Sequence, residues 1–352
     1  MDKPFTVGLA IPLQGPGGLF GPGCEAVGQL AIEHLNAHHG ILGREVSLRV
    51  FDAGRPSSQV AGDIARAVER SEIQALTGWH ISSLRERLAP ITRGRIPYVY
   101  TALHEGRPSA GVIHTGESPA IQVMPALHWL SRERGIRRWA IVGSDYVWPR
   151  ATASAVRRHA AGGDFSVEYE QFAPYGTRDF RPVLQQIEGA DIQGVLMLLV
   201  GRDAALFNRQ FGAMGTGDEC IRFSPLMEEN TLLASGESGT NNLYSASGYF
   251  SALATAPAMD FSWAYQRRFG NTAPTLSSAA ESCWEGILAL AVAVSKAGRA
   301  SMTAVNSAVE DGIVLAGPRG VVHLNLESAQ QDIYLARADG YTFDIVGHLS
   351  SS

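Results

Sequence analysis

The chain has 352 residues, of which 45% are hydrophobic and 18% charged, with a formal net charge of −5. That length supports two lobes of ordinary domain size, each with its own core, and the composition excludes a disordered or fibrous chain. Basic residues are scattered along the helical segments, so no electrostatic footprint for a phosphate backbone exists and no direct nucleic-acid partner is expected.

Short runs rich in Val, Ile and Leu alternate with helical patterns from the start, which is the signature of βαβ units on a parallel sheet. The pattern predicts a strand over Phe5–Pro12, a helix over Gly21–His39, a strand over Val46–Asp52 and a helix over Ser57–Arg70. A strand over Ile73–Thr77, a helix over Ser83–Thr92 and a strand over Pro97–Tyr100 follow, so one doubly wound lobe is complete by about Ile121. After a helix over Gln122–Arg134 the alternation restarts, with strands at Trp139–Gly143, Phe165–Phe172, Gly194–Val200, Ile221–Ser224 and Leu243–Tyr249. The helices between them are expected over Pro149–Ala161, Phe180–Ile187 and Asp203–Phe211. The basic residues Arg132, Arg134, Arg137 and Arg138 are read as solvating a helix end.

Asp260 to Asp311 reads as helical, including an apolar pattern over Ala279–Ala297 that stops at Gly298. Strands are then expected at Gly320–Leu326, Asp332–Ala338 and Phe343–Gly347, with a hairpin turn at Asp339-Gly340. Late helices that complete the first lobe and last strands that complete the second give lobe 1 as residues 1–122 plus 254–325 and lobe 2 as 123–253 plus 326–352. The chain then crosses between lobes three times, a hinge of three segments.

Cys24, Cys220 and Cys283 lie far apart, with no CxxC pair and no histidine at metal-ligand spacing, so neither a disulfide framework nor a metal site is expected. The apolar run Phe5 to Leu13 is too short for a signal-peptide core, and no stretch of about 18 apolar residues exists. As written the chain is expected in the cytoplasm and not embedded in a membrane. A periplasmic or extracellular location is the alternative if an export signal has been removed.

Several blocks carry a resemblance. Val7-Gly8-Leu9-Ala10-Ile11-Pro12-Leu13, then Ala31 to Arg44 with its Asn36…Gly40-Ile41-Leu42-Gly43-Arg44 core, then Phe51-Asp52 resemble the N-terminal lobe of the branched-chain amino-acid receptors, the Leu/Ile/Val-binding-like family of periplasmic-binding protein type I. Gly78-Trp79-His80-Ile81-Ser82-Ser83, Tyr98 to Gly106, and Val142-Gly143-Ser144-Asp145-Tyr146-Val147-Trp148-Pro149-Arg150 look closer to the amide- and urea-binding branch. With Gly317-Pro318-Arg319-Gly320 the likeness covers nearly the whole chain. It implies an α/β fold of two doubly wound, Rossmann-like parallel-sheet lobes, and a receptor that closes on a small polar molecule without transforming it.

In an open parallel sheet the binding crevice lies beyond the carboxyl ends of the strands. Gly78–Ser83 and Tyr100–Leu103 fall at such ends, and Ser82 and Ser83 open a helix, so a hydroxyl and backbone N–H groups converge where a carbonyl or carboxylate oxygen would sit. The resemblance points to His80, Ser82, Tyr100 and Ala102 on the first lobe and to Tyr146 and Trp148 on the second. Trp79, Gly201, Met227 and Tyr249 match positions with weaker motifs around them. Ala102 stands where the branch usually has threonine, so a hydroxyl is missing unless Thr101 supplies it, and His80 stands where a tyrosine is frequent. An amide, urea, amino acid, small aromatic acid or quaternary ammonium all remain open as ligand.

The rival reading is a Rossmann-type nucleotide-dependent enzyme. Gly15-Pro16-Gly17-Gly18 and Gly21-Pro22-Gly23 imitate a dinucleotide fingerprint, and Asp52 ends the second strand. Against it, Leu13 to Gly21 is too long for the tight turn, and Pro22 removes an N–H wanted by pyrophosphate. No hydrolase elbow, zinc-protease motif or phosphate loop is present, so neither an enzyme nor a cofactor is expected. Glu228 and Glu229 read as a solvated helix start, with a ligand amine as the other use. An ABC permease or a regulatory protein is the expected partner, the absent leader leaning toward a regulatory sensor.

Overall fold

The computed structural model describes residues 3–107, 109–215, 220–327 and 329–349. The chain divides into two compact units, residues 1–116 with 254–331 and residues 117–253 with 332–352, so it passes between them three times.

The first unit opens with β1 (Phe5–Ile11), α1 (Gly21–Ala37), β2 (Val46–Asp52), α2 (Ser57–Glu69), β3 (Ala75–Gly78), α3 (Ser82–Thr92), β4 (Tyr98–Tyr100) and β5 (Ile113–His114). These strands form one parallel sheet in the order β2-β1-β3-β4-β5. Successive crossovers leave β1 in opposite directions, which makes the carboxyl ends of β1 and β3 the topological switch point. β1 and β3 are buried almost throughout, as strands covered by helices on both faces must be.

The second unit continues with α4 (Val123–Arg134), β6 (Arg138–Ser144), α5 (Val147–Ala160), β7 (Ser166–Ala173), α6 (Arg181–Glu188), β8 (Gly194–Leu198), α7 (Arg202–Ala213), β9 (Ile221–Ser224), α8 (Glu229–Ser235) and β10 (Leu243–Ser247). The chain then returns to the first unit with α9 (Ala256–Phe269), α10 (Ser278–Ala297), α11 (Met302–Glu310), β11 (Ile313–Gly317), β12 (Gly320–Leu324) and β13 (Ala329–Gln330). It ends in the second with β14 (Tyr334–Asp339) and β15 (Thr342–His348). The second sheet runs β15-β14-β10-β9-β8-β6-β7, in which β14 is antiparallel to both of its neighbours, β10 and β15, and the other pairs are parallel. Its switch point lies between β6 and β8.

Apolar burial explains these choices. α10 is buried along most of its length, packing with α1, α11 and the first sheet around Ile287, Leu290 and Val294, and it stops at Gly298 in the left-handed region, φ 69°. Val195, Met197 and Leu199 of the second unit pack with Phe207, Phe211 and Leu232. Arg132 and Arg134 occupy the last turn of α4, where cations complement the exposed carbonyls.

Three strands escape the sequence pattern. β5 and β13 are only two residues long, and β11 alternates buried and exposed residues in a third, antiparallel sheet β11-β12-β13 that belongs to the first unit. The unit boundaries accordingly fall after 116 and 331, where the sequence suggested 122 and 325. Gln122 shows why: its amide donates to the carbonyls of Pro225 (2.9 Å) and Ala246 (2.7 Å) in the second unit. At the other end Arg319, 2% exposed, donates to Glu281 and to Gln331 Oε1 (3.0 Å), which ties residues up to 331 to α10.

Candidate functional site

In the first unit the carboxyl ends of β3 and β4 lie side by side, with Gly78 opposite Tyr100. Gly78 has φ 135°, and a Cβ there would stand 2.2 Å from the Ala10 carbonyl oxygen, so only glycine lets β3 end against β1 and turn. The turn carries Trp79, 3% exposed and packed on Phe20 with ring centroids 4.5 Å apart, then His80 and Ile81, which caps α3.

His80 is enclosed. Its Nε2 meets the Tyr98 hydroxyl at 2.9 Å and its Nδ1 the Ile81 carbonyl at 3.2 Å, an arrangement satisfied by a neutral ring with the proton on Nδ1. Burial holds its pKa down at about 4. Tyr100 donates its hydroxyl to the His80 carbonyl at 2.8 Å, which fixes the turn, and burial pushes the phenol upward. Behind Tyr100 stand Arg85, 5.0 Å from its ring centre, and Glu105, paired with Arg85 at 2.7 Å. His114 lies edge-on to Tyr100 at 5.9 Å, and burial, with His104 and Arg85 nearby, lowers its pKa to about 2.

Ser82, the first residue of α3, is 1% exposed, and its Oγ has no hydrogen-bond partner among the described residues. A buried hydroxyl without a partner costs on the order of 1–3 kcal/mol, and the free N–H groups of a helix start lie beside it. Thr101 is turned elsewhere: its Oγ1 takes a hydrogen bond from Ser282 Oγ at 3.1 Å, on the side where Gly286 of α10 approaches so closely that a Cβ would lie 2.4 Å from Thr101 Cγ2. Its hydroxyl therefore does not fill the place left by Ala102, itself 4% exposed.

In the second unit Tyr146 follows β6 and caps α5, with Trp148 in the helix's first turn; their ring centroids are 6.5 Å apart. Tyr175, at the end of β7, meets Tyr146 edge-on at 5.9 Å. Gly201, with φ 50° and ψ −113°, caps α7 at the end of β8. Asp203 just beyond it is 1% exposed, and its Oδ2 accepts the Gly176 N–H at 2.7 Å. Burial, opposed by that bond and by Arg202, raises its pKa to about 6.

Met227 and Tyr249 are each 1% exposed; the Met227 carbonyl accepts from Ser245 Oγ at 2.8 Å. The solvated helix start expected at Glu228 and Glu229 is corrected by the structure, in which both are buried, at 4% and 6%. Glu229 Oε1 accepts the Ser251 N–H at 2.7 Å, and burial raises its pKa. Glu117, also buried, accepts the Gly248 N–H at 3.0 Å beside Tyr249.

The structure thus groups Trp79, His80, Ser82 and Tyr100 at the neighbouring ends of β3 and β4, and Tyr146 and Trp148 after β6, while turning Thr101 into the core. Sequence reasoning missed Tyr175, Asp203 and Glu117. The first two carry faint signals, a Pro-Tyr-Gly turn after β7 and an acid in a helix's first turn. Asp52, the proposed ribose ligand of the rival reading, instead accepts from Leu13 N (2.9 Å), Gln14 Nε2 (2.5 Å) and Gly54 N (2.9 Å) as the anchor of its own loop.

Two α/β units with switch-point residues at their strand ends, joined by three chain crossings, define the two-lobed solute-binding class. The chain belongs to the periplasmic binding protein family, whose model matches residues 4–342. A Leu/Ile/Val-binding protein homolog 6 from Brucella suis biovar 1 is 25% identical over 357 residues, covering 96% of this chain and 89% of that protein. Two solved structures share the fold. One is an ABC-transporter solute-binding protein from Rhodopseudomonas palustris BisB5 in complex with 3,4-dihydroxybenzoic acid (TM-score 0.83, 19% identity, 98% of this chain and 97% of that one). The other is a branched-chain amino-acid transporter substrate-binding protein from Streptococcus pneumoniae in complex with isoleucine (TM-score 0.83, 16% identity, 98% and 99%). These findings overturn the cytoplasmic location expected from the N-terminus: kinship with periplasmic solute-binding proteins favours the periplasm.

Proposed function

We propose that this protein is the receptor of an ABC transport system and binds a small organic carboxylate, an amino acid in the first instance, without transforming it. The observation that carries the reading is Ser82, a buried hydroxyl without a partner among the described residues, placed with the N–H groups that open α3. That pairing suits a carboxylate oxygen. His80 and Tyr100 hold the turn that presents Ser82, and Trp79 backs it. Tyr146 and Trp148 supply an apolar wall, to which the family resemblance adds Gly201, Met227 and Tyr249, and the buried acids Glu228 and Glu229 favour a ligand that also carries an ammonium group. The aromatic cluster gives a second reading, an aromatic acid stacked on Tyr146 and Trp148.

Under this proposal binding works as a population shift toward the ligand-bound form, and the membrane permease reads that form. A thermal-shift panel of leucine, isoleucine, 3,4-dihydroxybenzoate, acetamide and urea tests the reading. A true ligand at about a thousand times its dissociation constant stabilises by roughly 4 kcal/mol. Ser82→Ala should lower that ligand's affinity by about ten-fold or more while leaving the apo melting temperature unlowered, since it removes a buried hydroxyl without a partner among the described residues. Wild-type affinity in Ser82→Ala, or stabilisation by acetamide and urea alone, refutes the carboxylate assignment.

A further inference from the structure

The second unit contains a contact that no part of the proposed ligand chemistry requires. Asp203 is fully enclosed at the start of α7, yet one carboxylate oxygen reaches across to the loop between β7 and α6 and accepts the Gly176 N–H at 2.7 Å. Gly176 has φ 94° and belongs to a tight turn in which Thr177 donates through its N–H (3.0 Å) and its hydroxyl (2.7 Å) to the Pro174 carbonyl. The residue carried at the head of that turn is Tyr175, whose ring stands edge-on to Tyr146. The second carboxylate oxygen, Oδ1, is buried without a hydrogen-bond partner among the described residues, so the carboxylate is held at this place at a cost in solvation. A neutral acceptor of the same shape would hold the turn more cheaply. Arg202, its neighbour in the chain, is the charged side chain that acts on it.

We propose that Tyr175 is a further ligand-wall residue and that Asp203 is its positioning residue, clamping the Pro174–Thr177 turn so that the Tyr175 ring completes the aromatic surface begun by Tyr146 and Trp148. The three rings come from the ends of two adjacent parallel strands, β6 and β7, and Asp203 comes from the third, β8, so the clamp ties together three consecutive strand ends around the switch point. A polar side chain locked by the neighbouring element is what keeps a loop-borne aromatic within the tolerance that stacking demands. The assignment of the wall to ligand binding rests on the proposed function; the clamp itself does not.

The experiment measures amide hydrogen exchange of the 174–177 segment in the full chain, for wild type, Asp203→Ala and Asp203→Asn, with melting temperatures recorded beside it. Asn keeps an acceptor oxygen for Gly176 and Ala does not. The Gly176 amide should be protected in wild type, should exchange on the order of ten-fold faster in Asp203→Ala, and should recover in Asp203→Asn. An unprotected Gly176 amide in wild type overturns the clamp without any variant, as does equal exchange in all three proteins. Affinity is then measured for leucine, isoleucine and 3,4-dihydroxybenzoate: Tyr175→Ala and Asp203→Ala should weaken whichever compound binds, and Asp203→Asn should restore it. Altered exchange with unaltered affinity overturns the ligand-wall role and leaves the clamp standing. Failure of all three compounds to bind wild type counts against the proposed ligand class, a result the exchange data do not share.

Discussion

Arg85 and Glu105 form an ion pair at 2.7 Å with side chains only 5% and 9% exposed, directly behind Tyr100. Replacing Glu105 with Gln keeps the shape and removes the charge, so Arg85 stays enclosed against the Tyr100 ring without its counter-ion. Breaking a buried pair on one side costs about 3–5 kcal/mol, a large part of the 5–15 kcal/mol that typically separates folded from unfolded protein. Arg85 has no escape through deprotonation. Arg85→Met, which leaves Glu105 enclosed without its counter-ion, should cost a similar amount. The double variant Arg85→Met/Glu105→Gln removes both charges and should regain most of the lost stability. Urea unfolding, followed by far-UV circular dichroism, measures all three. A Glu105→Gln protein within about 1 kcal/mol of wild type, or a double variant less stable than Glu105→Gln, refutes the buried-pair argument.

Gly78→Ala forces a side chain into φ 135° and against the Ala10 carbonyl, so it should lower stability by about 2 kcal/mol or more and disturb ligand affinity, read by thermal shift. Asp203 has its carboxyl raised from 3.8 to about 6, so the stability tied to it is present at low pH and is lost as the pH climbs through that window. The loss amounts to at most about 3 kcal/mol, and Asp203→Asn should abolish that part of the pH profile. His80 and His114 have the opposite linkage. Their lowered values make the unfolded chain bind more protons below pH 6.5, so stability should fall on acidification by roughly 1.4 kcal/mol per pH unit for each, and His114→Asn should reduce the slope. An unchanged slope in that variant would count against burial as the cause.

What the sequence determined by itself was the architecture. Alternating apolar runs and helical periods are local signals, and they located β1 to β4, β6 to β10 and the stop of α10 at Gly298, because strand and helix periods follow from backbone geometry. The same signals placed Ser82, Tyr146 and Gly201 at strand ends. Tertiary structure alone decided how each of those residues is used. Thr101 and Tyr100 sit next to one another in the chain, yet the first faces Ser282 and the second grips the His80 carbonyl, a division set by the approach of α10. Glu228 and Glu229 read as surface charge because a glutamate pair carries no mark of burial; the fold encloses both, Glu229 against the loop at Ser251. Asp203 and Gly176 are separated by α6 and β8, and only the parallel order β7-β6-β8 brings the carboxylate to the amide. Hydrogen bonds between distant segments depend on strand order and loop path, neither of which leaves a periodic trace in the residues themselves.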